Sequence, residues 1–137
     1  MADHPPVRVG CDVQSLVEVR ESLARLGDSY LARLLSEAER AVAAELSGTE
    51  AVVRYLGGRF AAKEAVYKVL GGSPSSALGW PEIEVLADSN GAPTVVLHGA
   101  AARLAEASRL VGLSVSISHA DPFAFAVAVG TAASEEN

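Results

Sequence analysis

From about Ala51 to Leu70 the sequence holds a helical pattern without interruption. It does so although Gly57 and Gly58 each cost about 1 kcal/mol relative to alanine in a helix interior. Two adjacent glycines kept at that cost predict close packing, or the approach of a ligand, at that turn. The remaining elements must pack around this helix. At 137 residues, 50% of them hydrophobic, the chain is large enough for one domain with its own core.

The flanking segments supply both helices and strands. Val7 to Val13 reads as a short strand ending near Asp12, and Leu16, Val19, Leu23 and Leu26 mark an amphipathic helix over Gln14 to Leu26 that Gly27 ends. A second helix covers Ser29 to Leu35. Ser36 and Glu39 form an S-x-x-E capping box for a third, which Ala41 to Leu46 continue before a loop at Ser47-Gly48-Thr49. Beyond the long helix, Gly71 to Ser76 is a flexible break that Pro74 enforces. Asn90-Gly91 between Ile83-Leu86 and Thr94-Leu97 predicts a hairpin. Ala100 to Leu110 is alanine-rich and helical, and Leu113-Ser118 and Phe123-Val129 are strands turned by Asp121-Pro122. The expectation is an α+β domain over residues 7–130, a long helix on a small antiparallel sheet, with flexible ends at 1–6 and 131–137.

A net charge of -6 and a pI near 5.0, with no Lys/Arg cluster interleaved with aromatics, argue against nucleic acid as a partner. An anionic ligand must therefore find a local cation or a metal ion. Cys11, the single cysteine, cannot form an intramolecular disulfide, and Met-Ala-Asp-His-Pro-Pro lacks the basic start and apolar run of a signal peptide. No apolar run approaches the ~18 residues of a membrane span. A soluble, cytoplasmic protein is expected.

Gly57, Ala61, Glu64 and Lys68 recur at helical spacing along one stripe of the long helix. Small residues there leave room for a ligand, Glu64 could bind a cation and Lys68 could neutralise a phosphate. Spacing alone favours a plainer reading, an i,i+4 surface pair worth about 0.3–0.5 kcal/mol. Asp12 at a strand end could project into a crevice or cap a turn, and His119 could bind phosphate or be an ordinary surface histidine. Cys11 reads as a small apolar side chain.

Five segments, in order along nearly the whole chain, carry a resemblance: Gly10-Cys11-Asp12-Val13, Leu35-Ser36-Glu37-Ala38-Glu39, Gly58-Arg59-Phe60-Ala61-Ala62-Lys63-Glu64-Ala65, Asn90-Gly91-Ala92-Pro93 and Val115-Ser116-Ile117-Ser118-His119. Together they resemble the holo-acyl-carrier-protein synthase family, the small trimeric branch of the 4'-phosphopantetheinyl transferases. The Arg-Phe-Ala-Ala-Lys-Glu-Ala stretch is the most specific.

The resemblance implies that Asp12 and Glu64 are carboxylate ligands of Mg²⁺, with the coenzyme A pyrophosphate completing the shell. It places Lys68, Lys63 and Arg59 near coenzyme phosphates, and Ser118 and His119 of an adjacent subunit of a homotrimer at the 3'-phosphoadenosine end. A serine hydroxyl of an apo acyl carrier protein, serving fatty-acid or polyketide assembly, would attack the β-phosphorus of coenzyme A, and adenosine 3',5'-bisphosphate would leave. Lys68 supports the leaving side, and Glu64 beside the reacting centre is the expected proton acceptor. One position departs from the family: six residues after Asp12, where a carrier-facing arginine is common, stands Glu18. Arg20, Arg25 and Arg33 are near enough in sequence to supply basic contacts instead. The alternatives are a carrier-binding module that has lost turnover, which the Glu18 change encourages, and a Mg²⁺-dependent hydrolase of coenzyme A.

Overall fold

The computed structural model describes residues 6–72 and 77–133. The long helix, α4 (Thr49–Leu70), lies across a three-stranded antiparallel sheet of order β1-β5-β4, formed by Val7–Ser15 (β1), Leu110–Ala120 (β4) and Phe123–Ala132 (β5). The central strand turns Ala124, Ala126 and Ala128 toward the helix, all buried. Small residues on both partners let backbone approach backbone, as the glycines of α4 predict. A side chain on Gly57 would collide with Leu16 and touch Ala124, and one on Gly58 would press on Ile117 and His119.

Three short helices cover the N-terminal half of α4. α1 (Leu16–Leu26) starts at Ser15, whose Oγ accepts from the Glu18 N–H, and ends at Gly27 with φ 55°. α1 begins two residues later than its apolar spacing predicts, because β1 continues through Ser15 opposite Phe123. α2 (Asp28–Leu34) follows, then α3 (Glu37–Ala44), where Ser36 and Glu39 form the expected capping box. Leu16, Val19, Leu34, Leu35, Val53 and Leu56 make one core cluster between these helices and α4.

The predicted hairpin is β2 (Ile83–Ala87) with β3 (Pro93–Leu97), its turn held by Asp88 Oδ1 accepting from the Asn90 and Ala92 N–H groups. A 3-10 turn (Trp80–Glu82) leads into β2, and Glu82 caps the backbone of α5 (Gly99–Ala107). Ile83 and Val85 join Val66, Val69 and Leu70 in a second core cluster.

The C-terminal boundary needs correction. β5 runs past residue 130 to Ala132, because Thr131 still pairs with Val7 and the Ala132 N–H donates to the Pro6 carbonyl. Of the flexible segments expected at 1–6, 71–76 and 131–137, residues 1–5, 73–76 and 134–137 lie outside the described residues. No helix among the described residues is long and apolar enough to cross a membrane.

Candidate active site

Strand alternation and helix period meet at one place. Gly10, Asp12 and Gln14 share the face of β1 that turns toward α4, since Asp12 stands opposite the buried Ala126. Gly10 makes the approach possible: a Cβ there would enter the Ala65 carbonyl oxygen and lie 3.0 Å from Lys68 Cβ. β1 thus rests directly on the backbone of α4 at the turn that carries Glu64 and Lys68.

Asp12, with 11% of its side chain exposed, faces the Lys68 ammonium at 3.6 Å. That ammonium donates at 2.7 Å to the Cys11 carbonyl, which fixes it over the strand end. Gln14 Nε2 donates to Asp12 Oδ2 at 2.6 Å and orients the carboxylate. Glu64 hydrogen-bonds the Asp12 carboxylate, and its own carboxyl is held above the usual range by burial first, then by the charge and hydrogen bond of Asp12, with Lys68 opposing. Two carboxylates this close need a shared proton or a cation between them. Among the described residues no group of three His, Cys, Asp or Glu side chains is assembled.

The structure therefore brings Asp12, Glu64 and Lys68 together and adds Gln14, whose role the Asp-x-Gln alternation on one strand could have signalled. Lys63, expected beside coenzyme phosphates, goes elsewhere. It is fully buried on another face of α4, donating to Glu39 Oε1 at 2.7 Å and to the carbonyls of Ile83 at 2.5 Å and Trp80 at 3.1 Å. Burial pushes its ammonium pKa down against the pull of Glu39. All three protons are used, so none remains for a phosphate. Arg59 is one turn earlier on that side, stacked 4.6 Å over the Tyr55 ring and donating to the Val85 carbonyl.

Ser118 and His119 are near the end of β4. Ser118 points to the outer, exposed face of the sheet, while His119 packs on Gly58 with its Nε2 2.9 Å from the Arg54 carbonyl oxygen. Glu18 is exposed on the first turn of α1. Of the three arginines expected to compensate for it, Arg20 is engaged in a bidentate pair with Glu50 at 2.7 Å. Arg25 and Arg33 instead flank a groove of about 260 Å³ whose apolar walls include Leu26, Tyr30, Phe60 and Trp80.

Comparison with known proteins identifies the family and the fold. The family profile described as the 4'-phosphopantetheinyl transferase superfamily matches residues 8–128. The holo-[acyl-carrier-protein] synthase of Solidesulfovibrio magneticus is 40% identical over 121 residues, covering 88% of this chain and 94% of that protein. Among solved structures, the Chronobacterium ammoniagenes ACPS-CoA complex superposes with a TM-score of 0.80 at 32% identity, over 94% of this chain and 99% of the other. The Helicobacter pylori holo-[acyl-carrier-protein] synthase in complex with coenzyme A gives 0.76 at 27% identity, over 90% and 100%.

Proposed function

Since this chain belongs to the 4'-phosphopantetheinyl transferase superfamily, we propose that its reaction takes place at the cluster of Asp12, Glu64 and Lys68. The chain is a transferase of the holo-acyl-carrier-protein synthase type. It moves 4'-phosphopantetheine from coenzyme A to a serine hydroxyl of an apo acyl carrier protein and releases adenosine 3',5'-bisphosphate. The observation that carries the site assignment is the convergence of two carboxylates from separate elements, one raising the proton affinity of the other, beside an ammonium.

The donor set fits Mg²⁺, a hard ion that commonly takes one or two carboxylates and completes its shell with water and phosphate oxygens. Asp12 and Glu64 would hold the ion, which when bound would supply positive charge to the coenzyme phosphates. Gln14 keeps the Asp12 carboxylate in one orientation, so the site is set before substrate arrives. Lys68 neutralises charge that grows on the departing bisphosphate. Glu64, beside the reacting centre, takes the proton of the attacking serine hydroxyl, directly or through water.

Assembly as a homotrimer is supported by the outer face of the three-stranded sheet. Val7 and Val9 are each 64% exposed there and Val13 is 53% exposed, with Phe123, Val127 and Val129 beside them. A continuous apolar face of this kind is uncommon on a monomer, and two further copies of the chain would cover it. Ser118, on that outer face, and His119 beside it would then lie at the border with a neighbouring copy, consistent with a shared site for the 3'-phosphoadenosine end. On the carrier side, Arg25 and Arg33 beside an apolar groove fit an acidic, amphipathic helix.

Mass spectrometry of an apo acyl carrier protein incubated with this protein, coenzyme A and Mg²⁺ tests the reading through the mass of the added arm. Transfer is expected to stop in excess chelator and in Asp12→Ala and Glu64→Ala variants that remain folded. Full activity with chelator, or near-normal rates for both variants, refutes the metal assignment.

A further inference from the structure

Glu39 and Lys63 form an ion pair with both side chains at 0% exposure. Its hydrogen bonds reach four elements. Glu39 accepts from the Ser36 N–H at the start of α3 and from the Val85 N–H of β2, both at carboxylate distances of 2.7–2.8 Å. Lys63 of α4 donates to the carbonyls of Ile83 and Trp80, which begin β2 and the 3-10 turn. Every buried polar side-chain atom among the described residues has a partner. Apolar residues of similar volume would serve stability as well or better, since the desolvation of a buried pair cancels much of its attraction. What such a pair adds is a fixed geometry. It meets the rim of a site at Trp80, whose carbonyl it holds and whose ring, edge-on to Phe60 at 5.5 Å and to Tyr67 at 5.8 Å, walls the groove beside Arg25 and Arg33.

We propose that Glu39 and Lys63 are positioning residues that register the Trp80 turn on α4 and so shape the groove that receives the carrier. Lys63 precedes Glu64 in the chain, so one helix turn carries the reacting carboxylate on one side and this anchor on another. The pair therefore sets where the carrier sits relative to Glu64 without touching substrate. The inference rests on the assignment of the groove to the carrier.

Trp80 is the only tryptophan of the chain, so its emission reports the groove wall directly. The test uses the full chain with Glu39→Leu and Lys63→Met combined, which removes both charges and leaves neither unpaired. The expected result is a folded protein whose Trp80 is more readily quenched by acrylamide without substrates present. Its KM for the carrier should rise at least about fivefold, short of the roughly hundredfold that a 1 Å misplacement can cost, while KM for coenzyme A stays the same. If the double variant does not fold, Lys63→Gln, which keeps N–H donors for the two carbonyls, is held to the same criteria. Unchanged quenching in a folded variant overturns the positioning role. Changed quenching with an unchanged carrier KM overturns the groove assignment beneath it, which Arg25→Glu tests separately through the carrier KM alone.

Discussion

Gly10→Ala perturbs the reacting cluster without altering any group that takes part in chemistry. The added Cβ would enter the Ala65 carbonyl oxygen and stand 3.0 Å from Lys68 Cβ and 3.1 Å from the Ala65 carbonyl carbon. The obstructing atoms are helix backbone and a Cβ, neither of which can swing aside as a side-chain tip can. Clearing the Ala65 carbonyl oxygen, the tightest of these contacts, requires β1 to lift from α4 by about 1 Å or more. Asp12, two residues along on the same face, lifts with it, away from Glu64 and Lys68. Overpacking of this kind costs about 1–3 kcal/mol of stability. A misplacement near 1 Å at a reacting centre lowers the rate by up to about a hundredfold. The glycine has no positive φ, so alanine adopts its φ and ψ without strain and the strand should still form. The assay is the rate of arm transfer to an apo carrier at saturating coenzyme A, with urea unfolding to confirm that the variant is folded under assay conditions. The expected outcome is a folded protein with kcat/KM lower by about one to two orders of magnitude. A rate within a factor of two or three of wild type would show that the reacting geometry does not depend on the contact of β1 with α4.

Glu64→Gln should abolish transfer yet stabilise the metal-free protein near neutral pH. The folded state holds the Glu64 proton more tightly than the unfolded chain, so that contribution is full below the unfolded value and is lost as pH rises through the raised folded one. Urea midpoints in chelator at pH 5 and pH 8 check this, and an equal pH response in both proteins contradicts it. Glu18→Arg should lower the KM for a strongly acidic carrier several-fold with little change in saturating rate. Rim charges act on encounter and are screened beyond about 8–10 Å, so added salt should narrow the difference, and an unchanged KM for every carrier at low salt would place Glu18 away from the carrier. Gly58→Ala should act like His119→Ala, because its Cβ would stand 3.0 Å from His119 Nε2 and displace the ring from the Arg54 carbonyl. Both should raise the KM for coenzyme A more than for dephospho-coenzyme A, and equal effects on the two would detach His119 from the 3'-phosphate.

The sequence by itself determined the elements whose causes are local. The Ser36 and Glu39 capping box, the Gly27 and Gly71 helix ends, the turn at Asn90-Gly91 and the length of α4 each follow from residues within a few positions of one another. The motifs also named Asp12, Glu64 and Lys68, which the structure brings together. Periodicity gives the angle between side chains on a helix but not which way the helix is turned. Lys63 and Glu64 are adjacent and both charged, and no local rule says which enters the core. The tertiary structure decided it, because α4 rests its small residues on the alanines of β5 and that packing carries Lys63 beneath β2, where Glu39 and two carbonyls await it. Glu39 likewise reads locally as a helix cap, and only the fold makes it half of a buried pair. The end of β5 and the pairing of Arg20 with Glu50 also depend on distant strands and helices meeting. Local propensity is set by neighbours along the chain, whereas burial and charge pairing are set by neighbours in space, and those exist only once the long helix has docked on the sheet.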